Sequence, residues 1–160
     1  KDLIGPNVRL YWDQAVYKKP GTRDEFPWHQ DNGYTFIEPQ AYLTCWVALT
    51  DTDETNGCPC VLPGLHRHGT LHHDTTDLGH EIGLDSTDSL SIPLKAGSIA
   101  IFSSLTPHRT GPNLSDKVRK SYILQYAPEG ARRLISHTLT DEVNDESRQF
   151  LILKDGLAVD

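Results

Sequence analysis

Two histidines and one carboxylate can occupy one face of a metal ion and leave the other face open, the ligand set of non-haem Fe(II) sites that bind a chelating co-substrate and dioxygen. The run Trp28-His29-Gln30-Asp31, with His108 and then Arg119 eleven residues further on, offers such a set in this chain. In an extended segment, residues i and i+2 point to the same side, so His29 and Asp31 can reach one ion while Gln30 points away. His108 is the candidate third ligand: it follows Ser98-Ile99-Ala100-Ile101-Phe102, a β-branched and aromatic run opened by Gly97. Arg119 opens another predicted strand, in which Arg119, Ser121, Ile123 and Gln125 share one face. Its guanidinium is permanently charged and can grip a carboxylate through two parallel hydrogen bonds, which suits a dicarboxylate co-substrate better than lysine would.

The His-x-Asp pattern alone is weak. With 8 His in 160 residues it recurs by accident, and His72-His73-Asp74 repeats it. Context favours the first pair. Phe26, Pro27 and Trp28 precede it, and Tyr34, Phe36 and an apolar run from Ala41 to Leu49 follow, which suits a packed sheet. The second pair lies among His66, His68, Thr75, Thr76, Asp77 and His80, a polar stretch without periodicity that reads as surface loop.

The elements that must position these groups are mostly strands, predicted at Val8 to Trp12, Ala41 to Leu49, Cys60 to Leu62, Ser98 to Phe102 and Arg119 to Ala127. Their length and spacing favour a sandwich or barrel. The stretch from Ala131 to Asp160 is charged, with one apolar island at Phe150-Leu151-Ile152-Leu153, and reads as a peripheral tail. At 160 residues and 37% hydrophobic content the chain suits one domain, residues 1–160, with its core at about 9–128. A formal charge of −7 argues against nucleic acid or an anionic membrane as partner, and no apolar run is long enough for a spanning helix. Three cysteines, an odd number, suit a reducing, cytoplasmic compartment without a disulfide framework.

The stretches from Phe26 to Tyr34, from Thr44 to Gly69 (with Asn56-Gly57-Cys58 and Pro63-Gly64-Leu65-His66) and from Gly97 to Tyr126 resemble the phytanoyl-CoA dioxygenase superfamily of Fe(II)/2-oxoglutarate oxygenases. The resemblance spans about residues 9–128, with its elements in the family's order. It implies a double-stranded β-helix, the jelly roll of cupin-like proteins, with iron near the open mouth. It further implies that His29, Asp31 and His108 ligate iron and that Arg119 binds the distal carboxylate of 2-oxoglutarate. Thr110 falls where a small hydroxyl residue commonly assists that arginine, Trp46 where a tryptophan lies beside the co-substrate, and Gln14 where another co-substrate contact is often found. Related halogenases replace the metal-binding carboxylate with a small residue; Asp31 is present, which implies hydroxylation. The chain begins at Lys1, has no Met, and is shorter than members usually are, so the expectation is that part of their N-terminal helical region is missing from it.

The implied reaction oxidises a small organic substrate with O2 while 2-oxoglutarate becomes succinate and carbon dioxide. Two other readings stay open: a non-catalytic jelly-roll protein that retains a metal site, and a cupin-type metalloenzyme that does not use 2-oxoglutarate. Arg119 discriminates, since neither needs a fixed cation near the metal. Trp46 could also be core alone, and Thr110 could cap the turn before Gly111-Pro112. The five histidines between Leu65 and His80 lack the close cysteine spacing of a structural zinc site.

Overall fold

A computed structural model describes residues 1–84 and 87–159. Its strands are β1 (Val8–Lys18), β2 (Phe26–His29), β3 (Ile37–Glu38), β4 (Leu43–Ala48), β5 (Pro59–Val61), β6 (Asp74–Thr76), β7 (Gly79–Glu81), β8 (Leu90–Ser91), β9 (Ile99–Ser103), β10 (His108–Thr110), β11 (Arg119–Pro128), β12 (Arg132–Ile135), β13 (Thr138–Glu142), β14 (Leu151–Lys154) and β15 (Leu157–Ala158). A six-stranded sheet in the order β15-β14-β1-β11-β4-β9 and a four-stranded sheet in the order β2-β10-β5-β8 enclose a cavity lined from both. This is the expected jelly roll.

Alternation explains which way the large sheet faces. Along β4, Thr44, Trp46 and Ala48 are buried while Leu43, Cys45 and Val47 point to the other side. Register stacks these residues against β11, with Thr44 opposite Gln125, Trp46 opposite Ile123 and Ala48 opposite Ser121. The inner face is therefore unusually polar, and the apolar core is divided in two. Ile37, Tyr42, Ala127, Ala131 and Val143 form one cluster, and Trp46, Ala48 and Ala100 the other.

The predicted strand at Val8 to Trp12 runs on to Lys18, pairing with β11 as far as Lys18 opposite Arg119. Its second half is hidden from hydrophobic patterning because its inward residues, Gln14 and Lys18 among them, face a cavity and not a core. The stretch read as surface loop is also more ordered than expected. It contains a single 3-10 turn, Leu65–His68, and the β6–β7 hairpin, after which the Ile82 N–H donates to the Trp28 carbonyl at 2.7 Å. The segment from Ala131 onward, read as peripheral, supplies Ala131 and Val143 to the first core cluster and Arg133, Arg148 and Gln149 to the cavity wall. Those contacts come from isolated residues spaced too far apart to produce a periodic signal.

His73 braces the end of β2. Its Nε2 accepts from the Gln30 N–H at 2.9 Å and its Nδ1–H donates to the Leu71 carbonyl at 2.9 Å, as burial favours by keeping this imidazole below its usual pKa and neutral. The ring lies where a Cβ on Gly33 would stand, only 2.2 Å from the nearest ring atom. Gly33→Ala should therefore lose about 1–3 kcal/mol to overpacking, more than the roughly 1 kcal/mol of helix propensity that alanine gains. Denaturant unfolding measures this, and Gly33→Ala as stable as the parent would contradict the packing described.

Candidate metal and co-substrate site

Backbone pairing brings the three sequence-predicted ligands together. β10 runs antiparallel to β2 with His108 directly opposite His29. The strand ends at His29, Gln30 stays extended (φ −110°, ψ 141°), and Asp31 opens a short helix, Asp31–Tyr34. The i, i+2 geometry therefore survives although Asp31 lies just beyond the strand. Gln30 does point away: its amide donates to the Gly69 and Leu105 carbonyls and accepts from Leu71 N–H. Asn32, fully buried, hydrogen-bonds Thr70 and the Ile37 N–H, so both neighbours of Asp31 are fixed.

The ligand atoms of His29, Asp31 and His108 all lie within 4.8 Å of one another. Asp31 Oδ1 stands 3.7 Å from Nε2 of each imidazole, while its Oδ2 accepts from the Thr44 hydroxyl. Each histidine is locked by its other nitrogen, His29 Nδ1 against the Pro27 carbonyl at 2.8 Å and His108 Nδ1 against the Thr106 carbonyl at 2.9 Å. A carbonyl can only accept, so both Nδ1 atoms carry the proton and both Nε2 lone pairs face Asp31. Burial, and then the neighbouring His108, hold the pKa of His29 well below its ordinary value, which keeps the imidazole neutral and able to ligate. Two imidazoles presenting Nε2 and one carboxylate, with no other group among the described residues in the set, fit an Fe(II) ion with open positions.

The triad opens into a cavity of about 510 Å³ that Gln14, Trp46, Thr110 and Arg119 also line. Every sequence-predicted site residue thus reaches one space. Arg119 is 1% exposed, and only one of its nitrogens is satisfied, donating to Ser121 Oγ at 2.7 Å. Nε and the other terminal nitrogen have no hydrogen-bond partner among the described residues. The guanidinium sits over the Trp46 ring at 5.3 Å, and burial lowers its pKa to about 10, still charged at neutral pH. The second His-x-Asp pair faces solvent at the start of β6, His72 Nε2 being 3.3 Å from Asp74.

Lys18, close in sequence to the basic residues Lys19 and Arg23, lines this cavity beside Arg119 and Thr110. Its ammonium donates to the Gly111 carbonyl at 2.5 Å and reaches Thr110 Oγ1 at 3.3 Å. Burial, with the charge of Arg119 adding to it, lowers the Lys18 pKa to about 8. The strand register from Gln14 to Lys18 was the signal that could have found it.

The family model of Phytanoyl-CoA dioxygenase (PhyH) matches residues 1–121. This chain belongs to that family. A methylphosphonate hydroxylase of Gimesia maris is 33% identical over 125 residues, covering 78% of this chain and 47% of that protein. Among solved structures, EvdO2 of Micromonospora carbonacea, determined with 2-oxoglutarate, matches at 31% identity and a TM-score of 0.66 over 72% of this chain and 50% of that one. The apo form of ThoJ, a non-heme monooxygenase, reaches a TM-score of 0.80 at 25% identity, covering 96% of this chain and 55% of that one. The chain spans about half the length of the curated relatives it matches. Among the described residues no helix is long and apolar enough to cross a membrane.

Metal titration by calorimetry separates the two His-x-Asp pairs. His29→Ala and Asp31→Ala should abolish Fe(II) or Ni(II) binding, Thr44→Val should weaken it about 10–100-fold through the lost hydrogen bond to Asp31, and His72→Ala should change nothing. Equal losses from His72→Ala would place the ion on the wrong pair.

Proposed function

We propose that the chain, as one domain with its core at about residues 9–128, is an Fe(II)- and 2-oxoglutarate-dependent dioxygenase that hydroxylates a small organic substrate. The balance is substrate C–H plus O2 plus 2-oxoglutarate, giving C–OH, succinate and carbon dioxide. The observation that carries this reading is Arg119. A fully buried guanidinium with two unpartnered nitrogens costs several kcal/mol, and an anion received from outside offsets that cost. A cupin-type enzyme without 2-oxoglutarate, or a non-catalytic metal-binding protein, has no use for such a group at this point.

His29, Asp31 and His108 would hold the iron. When bound, the metal and co-substrate supply the oxidising chemistry. The protein supplies binding, orientation and exclusion of water. Arg119 would take the distal carboxylate through its free nitrogens, with Thr110 and Lys18 at the same end. Trp46 holds the guanidinium plane from one side, and Gln14, four residues along β1 from Lys18, offers an amide to the chelating end. Asp31 keeps a carboxylate where a halide would otherwise coordinate, which directs the outcome to hydroxylation. Two EvdO2 structures and two relatives named as a hydroxylase and a 2-oxoglutarate-dependent dioxygenase support the class. Cys45, Cys58 and Cys60 are free thiols, which supports a reducing, intracellular compartment. The acidic net charge supports a small-molecule partner over nucleic acid or an anionic membrane.

Arg119→Lys keeps the charge and loses the fork. It should weaken 2-oxoglutarate binding by about 1.5–3 kcal/mol, roughly 10–150-fold, and leave metal affinity intact. Calorimetric titration of 2-oxoglutarate into the Ni(II)-loaded protein checks this. Unchanged affinity in both Arg119→Lys and Arg119→Ala would remove Arg119 as the anchor and the proposed activity with it.

A further inference from the structure

The protein is acidic overall, with a formal charge of −7, yet its cavity inverts that sign. Four cations line it, Lys18, Arg119, Arg133 and Arg148, against one carboxylate, Asp31, which belongs to the proposed metal set. None of the ion pairs among the described residues involves Lys18, Arg119 or Arg133. One dicarboxylate held at the Arg119 and Lys18 end leaves Arg133, and Arg148 with Asp145 beside it, on the cavity wall.

Register separates the cations into two ends. On β1 and β11, Lys18 faces Arg119, Val16 faces Ser121, Gln14 faces Ile123 and Trp12 faces Gln125. Thr44, which holds Asp31, also lies opposite Gln125, so the metal set stands near the Trp12 rung. Beyond it the register slips between Leu10 and Trp12, leaving Tyr11 without a partner on β11. Such a bulge lets consecutive residues face one side, and both Tyr11 and Trp12 line the cavity. The charges of Arg133 and Arg148 act on the Tyr11 hydroxyl. Seven residues of strand, about 23 Å, separate Tyr11 from Lys18. The metal set lies toward the Tyr11 end of that span.

Both arginines of the far pair are exposed at the cavity wall, and neighbouring groups orient Arg148. Arg148 lies over the Trp12 ring at 5.6 Å, and its Nε is 3.3 Å from Asp145 Oδ2. The next residue, Gln149, is buried: its carbonyl accepts from Arg9 at 2.7 Å and its side-chain oxygen accepts from the Asp145 N–H at 2.9 Å. Arg133 enters from β12, whose partner β3 contributes Ile37 to the adjacent core cluster.

We infer that the substrate carries an oxyanion, a carboxylate or a phosphonate, received by Arg133 and Arg148 at the end of the cavity away from Arg119, so that its carbon body lies across the metal. A guanidinium fork can pair two of its N–H groups with two oxygens of either group. Tyr11, Trp12 and Tyr42 supply an aromatic wall for the body. This inference rests on the oxygenase reading, because it assigns the Arg119 end to 2-oxoglutarate.

The test is calorimetric titration of butanoate, butylphosphonate and the neutral isostere butanamide into the whole chain with saturating Ni(II) and 2-oxoglutarate, which keeps the probes out of the Arg119 end. Both anions should bind more tightly than butanamide, and Arg133→Gln/Arg148→Gln should weaken them at least tenfold while 2-oxoglutarate affinity stays unchanged. Lys95→Gln, which removes an exposed charge paired to Asp51, should leave all three affinities as they are. The tighter of the two anions names the oxyanion. Equal binding of butanamide, or anion affinity that survives the double substitution, overturns the inference while leaving the oxygenase reading intact. Failure of 2-oxoglutarate itself to bind the Ni(II)-loaded parent would overturn both.

Discussion

Arg119 is charged, 1% exposed and satisfied at only one of its nitrogens, and the rest of the interior is arranged around that burden. Desolvating a guanidinium costs several kcal/mol unless acceptors replace water, and among the described residues only the Ser121 hydroxyl does so. The inner face of the large sheet carries Thr44, Ser121 and Gln125 where a sandwich would ordinarily place aliphatic side chains. The core is split into two clusters because the space between them is given to the cavity. An interior so arranged gives up packing energy in exchange for a binding site.

The metal set avoids the same penalty by a different route. Its two imidazoles donate from Nδ1 to backbone carbonyls two residues back in sequence, so their tautomers follow from local backbone geometry. The carboxylate is held on one oxygen by Thr44 and leaves the other for the ion. Gln30 and Asn32, both fully buried and fully engaged, prevent the strand-to-helix switch from drifting. An ion held this way would find its ligands already oriented, which reduces the ordering cost of binding.

The parts of the site legible in the sequence are those whose geometry is local. His29 and Asp31 follow from a two-residue spacing that needs only an extended Gln30, and Arg119 follows from strand alternation with Ser121 and Gln125. His108 was readable as the residue after an apolar strand, though its place opposite His29 belongs to tertiary pairing. Lys18 escaped because a strand facing a polar cavity has no hydrophobic period. Arg133 and Arg148 escaped for another reason: a β12 strand docked on β3 and a turn anchored by the buried Gln149 carry them to the cavity, and no spacing in a charged tail encodes that approach. The exposed pair His72 and Asp74 shows the converse, a matching spacing without burial or a third ligand.

The most direct test of the account is a crystal structure of the chain grown anaerobically with Fe(II) and 2-oxoglutarate. The account predicts one ion on His29, Asp31 and His108, chelated by 2-oxoglutarate whose distal carboxylate lies on the two free nitrogens of Arg119. An ion elsewhere, or a 2-oxoglutarate that leaves Arg119 unpartnered, would contradict it.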